Sequence, residues 1–241
     1  GNNNIAFDKV EVISRKNNKI LSKTVKINKI GTLNISCKKK VKQDLRKIVL
    51  KRKNFLKNVN FLEPSIMGIL NLTPDSFSDG GKYNKKNKGF NHAKYLIKKG
   101  CKILDIGGES TRPGSKDVEE NIEWNRISKT LKKIKKLKKF VSLDTRKSSV
   151  MKKGINRKIN MINDVSGLEY DFNTINVLKK TNIPFVLHHM QGSPKTMQIK
   201  PKYKNVLLDI YDFFEKKIKK MRLLGIKHSN IILDPGIGFG K

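Results

Sequence analysis

From Ser65 onward the chain repeats one pattern: a short apolar run ends in a polar residue, a loop follows, and an amphipathic stretch with helical spacing completes the unit. The runs are Ile66 to Leu70 ending at Asn71, Ile103-Leu104 ending at Asp105, and Val141 to Leu143 ending at Asp144. They continue with Met161-Ile162 ending at Asn163-Asp164, Phe185 to Leu187 ending at His188-His189, and Ile231 to Leu233 ending at Asp234. Between them Trp124, Ile127, Leu131, Ile134 and Leu137 mark one helix face, and Val206, Ile210, Phe213, Phe214, Ile218, Met221 and Leu224 a longer one. A helix is also expected over Asn91 to Lys99, with Gly100 as its C-terminal cap and Gly225 capping the last helix. Six βα units in series predict a parallel sheet. Each run delivers a polar residue at its carboxyl end, where a (β/α)8 TIM barrel builds its site from strand ends and loops. An open doubly wound sheet has the same local signature but places its ligand in one switch-point crevice, so the barrel is the expected fold.

The chain stops at Lys241, just past the sixth run, and begins with Gly. The barrel is therefore expected to be incomplete, short of two strands and their helices, about 70 residues at ordinary unit lengths. An unclosed barrel exposes sheet edges and one face of its core, so little or no cooperative melt is expected of this length alone. Residues 1–60 differ from the remainder, with 17 Lys or Arg against 3 Asp or Glu. Ile5 to Ile13 and Ile20 to Ile27 flank Lys16-Asn17-Asn18-Lys19 and predict a hairpin, and Leu45, Ile48, Val49 and Phe55 predict a basic helix over Val41 to Phe55. The expected organisation is a small basic N-terminal extension, 1–60, read as a solvated layer or arm, followed by the barrel, 61–241.

Charge changes this picture little. The formal net charge of +34 rests on 54 basic residues, of which only 8 are Arg. Nucleic-acid readers draw on Arg for bidentate contacts, so Lys spread evenly with Asn and Ile reads as compositional bias, and a nucleic-acid partner is not expected. The field still favours anionic ligands. No window approaches 18 consecutive apolar residues and no signal-peptide core is present, so a cytoplasmic protein without membrane association is expected. Cys37 and Cys101 lack metal-ligand spacing and read as free thiols.

Two loops carry the densest chemistry. The first, Asn71 to Gly81, is rich in hydroxyls, carboxylates and glycines and can wrap an anion. The second runs from Gly107 to Gly114; its adjacent glycines allow close backbone approach, and Arg112 can fork onto phosphate oxygens. Elsewhere, Gly236 to Lys241 looks like a phosphate loop, but Pro235 stands where that pattern needs Gly. His188-His189 invites a metal reading, yet neighbours on a strand face opposite sides, which leaves His189 a structural or pocket-wall role. Trp124 heads an apolar stripe and reads as core.

The stretches IMGILNLTPDSFSDGG and LDIGGESTRPGS, followed in order by SLDTRKSSV, INDVSG, HHMQGSPKTMQ and LDPGIGFGK, resemble the signatures of the dihydropteroate synthases over roughly residues 65 to 241. The resemblance implies a (β/α)8 barrel transferase of folate biosynthesis, the target of sulfonamides. Its reaction joins 6-hydroxymethyl-7,8-dihydropterin pyrophosphate to 4-aminobenzoate and releases pyrophosphate. It implies Mg2+ held in part by Asn71, and Thr111 and Arg112 near the pyrophosphate and the aminobenzoate. Asp144, Asn163 and Asp234 would form the floor of the pterin pocket, with Asp105 ordering that floor. Met190 would be an apolar wall, and Pro113 and Phe239 would lie beside the aminobenzoate ring. Pyrophosphate would depart first, leaving a cation-like methylene for the amine to attack, with Asp105, Thr111, Arg112, Asp144 and Asp234 as the catalytic set. A homodimer is implied for the full-length protein. His188 departs from the family, which more often has Met there. The family's Ser-Arg-Lys stretch and Arg-x-His pair have no counterpart before Lys241, so poor activity is expected of this length. Two other readings remain: a pterin- or methyltetrahydrofolate-binding barrel of another activity, which would not need the TPDSFSDGG and STRPGS loops, and a non-catalytic basic binding protein on a decayed barrel, whose nucleic-acid binding would weaken steeply with salt.

Overall fold

A computed structural model of the chain describes residues 6–17, 19–50, 56, 59–60, 63–73, 87–110, 115, 117–192 and 196–241. The chain divides into two units, Gly1–Phe55 and Leu56–Lys241. In the first, strands β1 (Lys9–Lys16) and β2 (Lys19–Lys26) pair antiparallel with Lys16 opposite Lys19. Asn17 enters the two-residue turn at φ 49°, a left-handed conformation that Asn tolerates and tight hairpins need. A 3-10 stretch, Ile27–Thr32, leads to helix α1 (Ile35–Val49). That helix begins six residues before the Val41 expected from its apolar spacing, because the Asn34 side chain accepts from the Cys37 backbone N–H at 2.9 Å and caps it. It ends at Val49; Ile5 of the expected hairpin and Phe55 of the expected helix lie outside the described residues.

The second unit alternates strands and helices: β3 (Met67–Asn71), α2 (Lys88–Lys98), β4 (Ile103–Gly107), α3 (Glu120–Ile134), β5 (Phe140–Asp144), α4 (Ser148–Asn156), β6 (Met161–Asp164), α5 (Asn173–Lys180), β7 (Phe185–His188), α6 (Val206–Leu223) and β8 (Ile231–Asp234). Among the described residues the six strands form one parallel sheet whose spatial order is their chain order. A doubly wound sheet reverses direction at its switch point; unbroken order is the winding of a barrel. The helix ends follow their sequence signals. Gly100 (φ 95°) and Gly225 (φ 88°) each donate to a carbonyl three residues back, and the next residues, Cys101 and Ile226, reach five back to Leu96 and Met221.

Alternation along the strands sorts the side chains into two populations. Outward-facing Leu70, Leu104, Ile106, Val141, Leu143, Ile162, Phe185 and Leu187 pack under the helices against Ile127, Leu131, Ile134, Val150, Met151, Val177 and Leu178. Inward at the amino-terminal end of the sheet, Ile103, Phe140, Met161, Val186 and Ile232 meet Leu56 and Val59, which plug the base. Above that layer the inward positions turn polar.

Candidate active site

The polar layer follows from register. Asp105 lies opposite Ser142, Gly107 opposite Asp144, Asp144 opposite Asn163, and His188 opposite Asp234. Asp105 is not a strand end, as the apolar run implied; Ile106 and Gly107 continue β4, because Gly107 still pairs with Asp144 and with Asn71. Asp105 therefore sits one layer deeper than Asp144. The Asn163 amide donates to Asp105 Oδ2 at 2.8 Å, and both residues are buried. Burial pushes the Asp105 carboxyl above its ordinary range, against the pull of the Ser142 hydroxyl and the Asn163 amide. Asp144 is driven further up, first by burial and then by the neighbouring carboxylates of Asp105 and Asp164. Burial and crowding thus both favour a proton on this floor.

Gly107 keeps the centre of this layer open. A Cβ there would come within 3.2 Å of Asp144 Oδ2 and 3.3 Å of Asn71 Oδ1, which places the Asn71 amide oxygen and the Asp144 carboxylate on either side of one gap. At Gly108 a Cβ would meet the Glu123 carbonyl of α3 at 2.6 Å, so the second glycine lets the loop lie against the helix, the close approach expected of the pair. On the far side, Asp234 Oδ1 accepts from the Gly236 N–H at 2.8 Å, and Phe239 lies edge-on to His188 with ring centroids 4.7 Å apart. Met190 is half-buried just past β7. Of the residues singled out by sequence, Asn71, Asp105, Asp144, Asn163 and Asp234 therefore share the inward face at the carboxyl end of the sheet, with Met190 and Phe239 in the loops beyond it. Thr111, Arg112 and Pro113 lie outside the described residues, as does the first loop from Pro74 to Gly81.

The two adjacent histidines diverge. His188 turns inward, with Nδ1 2.9 Å from the Val165 carbonyl, while His189 packs edge-on against Phe213 of α6 at 4.7 Å. Burial lowers both pKa values and favours the neutral rings. Among the described residues no group of three or more His, Cys, Asp or Glu side chains is arranged to hold a metal. The glycine-rich end behaves unlike a phosphate loop: Lys241 Nζ turns onto the carbonyls of Gly236 (2.8 Å), His189 (3.1 Å) and Phe239 (3.1 Å).

One cluster was not anticipated. Glu109, just past β4, receives Arg146 Nε at 3.1 Å and Lys147 Nζ at 2.9 Å from the β5–α4 loop, and Lys147 also reaches Glu123 of α3 at 2.8 Å. Arg146 extends to Asp117 at 2.8 Å and stacks on the Tyr170 ring at 3.8 Å, while Thr145 Oγ1 donates to Glu123 at 2.6 Å. Burial would raise the Glu109 carboxyl, but Arg146 and Lys147 outweigh it and hold it below the ordinary range. Both cations are thus matched by carboxylates and are not available as anion receptors. The signal lay in the α3 stripe, where Glu123 occupies the core register with Ile127, Leu131 and Ile134, a place where an unpaired acid is not tolerated.

Comparison with known proteins places this geometry. The model of the family described as pterin binding enzyme matches residues 67–241. The dihydropteroate synthase of Escherichia coli strain K12 is 38% identical over 185 residues, covering 76% of this chain and 65% of that protein. That of Haemophilus influenzae is 39% identical over 179 residues, covering 74% and 65%. Among solved structures, a Yersinia pestis dihydropteroate synthase in complex with a sulfonamide drug matches with a TM-score of 0.70 at 38% identity, over 76% of this chain and 66% of that one. A Burkholderia cenocepacia dihydropteroate synthase complexed with 7,8-dihydropteroate matches with a TM-score of 0.65 at 34% identity, over 76% and 62%. The chain spans 65% of the length of the two curated relatives. With its parallel strands wound in chain order and a floor of Asp and Asn at their carboxyl ends, the chain belongs to the family of pterin-binding enzymes.

Proposed function

We propose that the chain is the pterin-site portion of a dihydropteroate synthase, joining 6-hydroxymethyl-7,8-dihydropterin pyrophosphate to 4-aminobenzoate with release of pyrophosphate. The observation that carries this reading is the buried Asp105–Asn163 pair with Asp144 one layer above it, all on the inward face of neighbouring strands. A pterin presents an amino group and a lactam N–H on one edge, and carboxylates accept from both while an amide serves the adjoining acceptor. Carboxyls crowded together and short of water gain from a positively charged or proton-donating group placed between them. A cation-like methylene left on the ring by departing pyrophosphate is what such a floor favours over the neutral substrate. Phe239 and Met190 offer apolar surface for flat rings.

Asn71 fits a partial shell for Mg2+: one amide oxygen at the mouth of the pocket, with phosphate oxygens and water completing a hard-ion set. When bound there, the ion would neutralise charge on the leaving pyrophosphate. Asn71 would orient the pyrophosphate end, and Arg112, from its position in the second loop, would meet the same charge. A homodimeric full-length protein belongs to the same reading.

The test is product formation by the full-length protein from the pterin pyrophosphate and Mg2+ with and without 4-aminobenzoate, alongside direct pterin binding. Dihydropteroate that requires the aminobenzoate is expected, and Asp144→Ala and Asp234→Ala should each weaken pterin binding by about tenfold to a hundredfold, the worth of a charge-assisted hydrogen bond. Tight pterin binding without aminobenzoate-dependent product would favour a pterin-binding barrel of another activity. Near-normal pterin affinity in both variants would remove the pocket assignment.

A further inference from the structure

The buried ionic cluster ties together three consecutive loops on the face of the sheet that holds the site. Glu109 stands at the first residue of the β4–α3 loop beyond Gly108, and its Oε1 accepts from the Val118 N–H at 2.9 Å, near that loop's return to α3. Arg146 repeats the closure from outside, bonding both Glu109 and Asp117. Ser115 Oγ donates to the Ser110 carbonyl at 2.6 Å, a third tie across the same base. The cations come from Arg146-Lys147, two and three residues after Asp144 of the pocket floor, and Tyr170 of the β6–α5 loop stacks on Arg146. The departure and return of the loop that carries Thr111 and Arg112 are thus referenced to the strand that carries Asp144.

We propose that Glu109, Arg146, Lys147 and Asp117 are positioning residues, which hold the β4–α3 loop in register with the pterin floor so that its residues meet the second substrate; the proposal rests on the synthase reading above. Lys147 satisfies the buried carboxylates of Glu109 and Glu123; what Arg146 adds, by reaching Asp117 as well as Glu109, is a bridge between both ends of one loop. Asp117, with a side chain 69% exposed, adds little to folding yet makes one of the ties.

The experiment uses the full-length protein with Glu109→Gln and Asp117→Ala, which each loosen one tie, and Asp117→Asn, which keeps an acceptor for Arg146. Amide hydrogen exchange across residues 110–118 is expected to rise on the order of tenfold in the first two and to stay within about twofold of the parent in Asp117→Asn, with β5 and β6 unchanged. In turnover the KM for 4-aminobenzoate should rise by a similar factor in the first two while binding of 6-hydroxymethylpterin stays within about twofold. Unchanged exchange across 110–118, exchange that rises equally in β5 and β6, or a local rise with an unaltered aminobenzoate KM would each overturn the proposal. Failure of the full-length parent to make product removes the synthase reading, while exchange across 110–118, which needs no substrate, still decides whether the cluster holds the loop.

Discussion

Asn163 and Asp164 are neighbours on β6 with opposite duties, and the pleat of the strand decides which does what. Asn163 points inward to Asp105, whereas Asp164 points outward beneath the helices, fully buried, with Oδ1 accepting the Ser166 N–H at 2.8 Å and its hydroxyl at 2.6 Å. Burial lifts the Asp164 carboxyl from its ordinary range to about 6, the Ser166 bonds offsetting only part of it. The folded state therefore holds a proton that the unfolded chain releases, and stability falls as pH rises from the ordinary carboxylate pKa through about 6. A shift of roughly two units corresponds to on the order of 3 kcal/mol. Urea midpoints for the parent should decline between about pH 4 and 6.5, and Asp164→Asn, which keeps an acceptor for Ser166, should flatten that decline. Identical pH dependence in the two proteins would rule this out. Nothing in the string INDVSG separates the two residues by role; only the register of β6 does.

At the level of elements, Gly154 shows how packing overrides propensity. It lies inside α4, where replacing Gly by Ala ordinarily gains about 1 kcal/mol. Here an added Cβ would stand 2.4 Å from Leu143 Cδ2, a side chain with no exposed surface and no room to retreat. Gly154→Ala should instead cost about 1–3 kcal/mol, read as a lower urea midpoint; a stabilised variant would show that the sheet can yield. The same contrast explains what was legible beforehand. Apolar runs marked all six strands of the sheet because a parallel strand covered on both faces must be apolar, and glycines marked two helix ends because their left-handed φ excludes most residues. The end of β4 was missed because Asp105 looked like a terminus when it is an inward polar residue in mid-strand. The start of α1 was missed because a cap, not a stripe, set it. The Glu109 cluster draws its members from three loops and a helix, and partners so far apart in sequence leave no local pattern to read.

For the whole molecule the consequential feature is the order of the strands, which bears on synthesis. Because each described strand of the sheet after β3 pairs with the one made just before it, a nascent chain waits for only one βα unit before each new pairing. Emerging from the ribosome, the chain would lay down its pocket floor in the sequence Asp105, Asp144, Asn163, Asp234, each arriving beside a neighbour already in place.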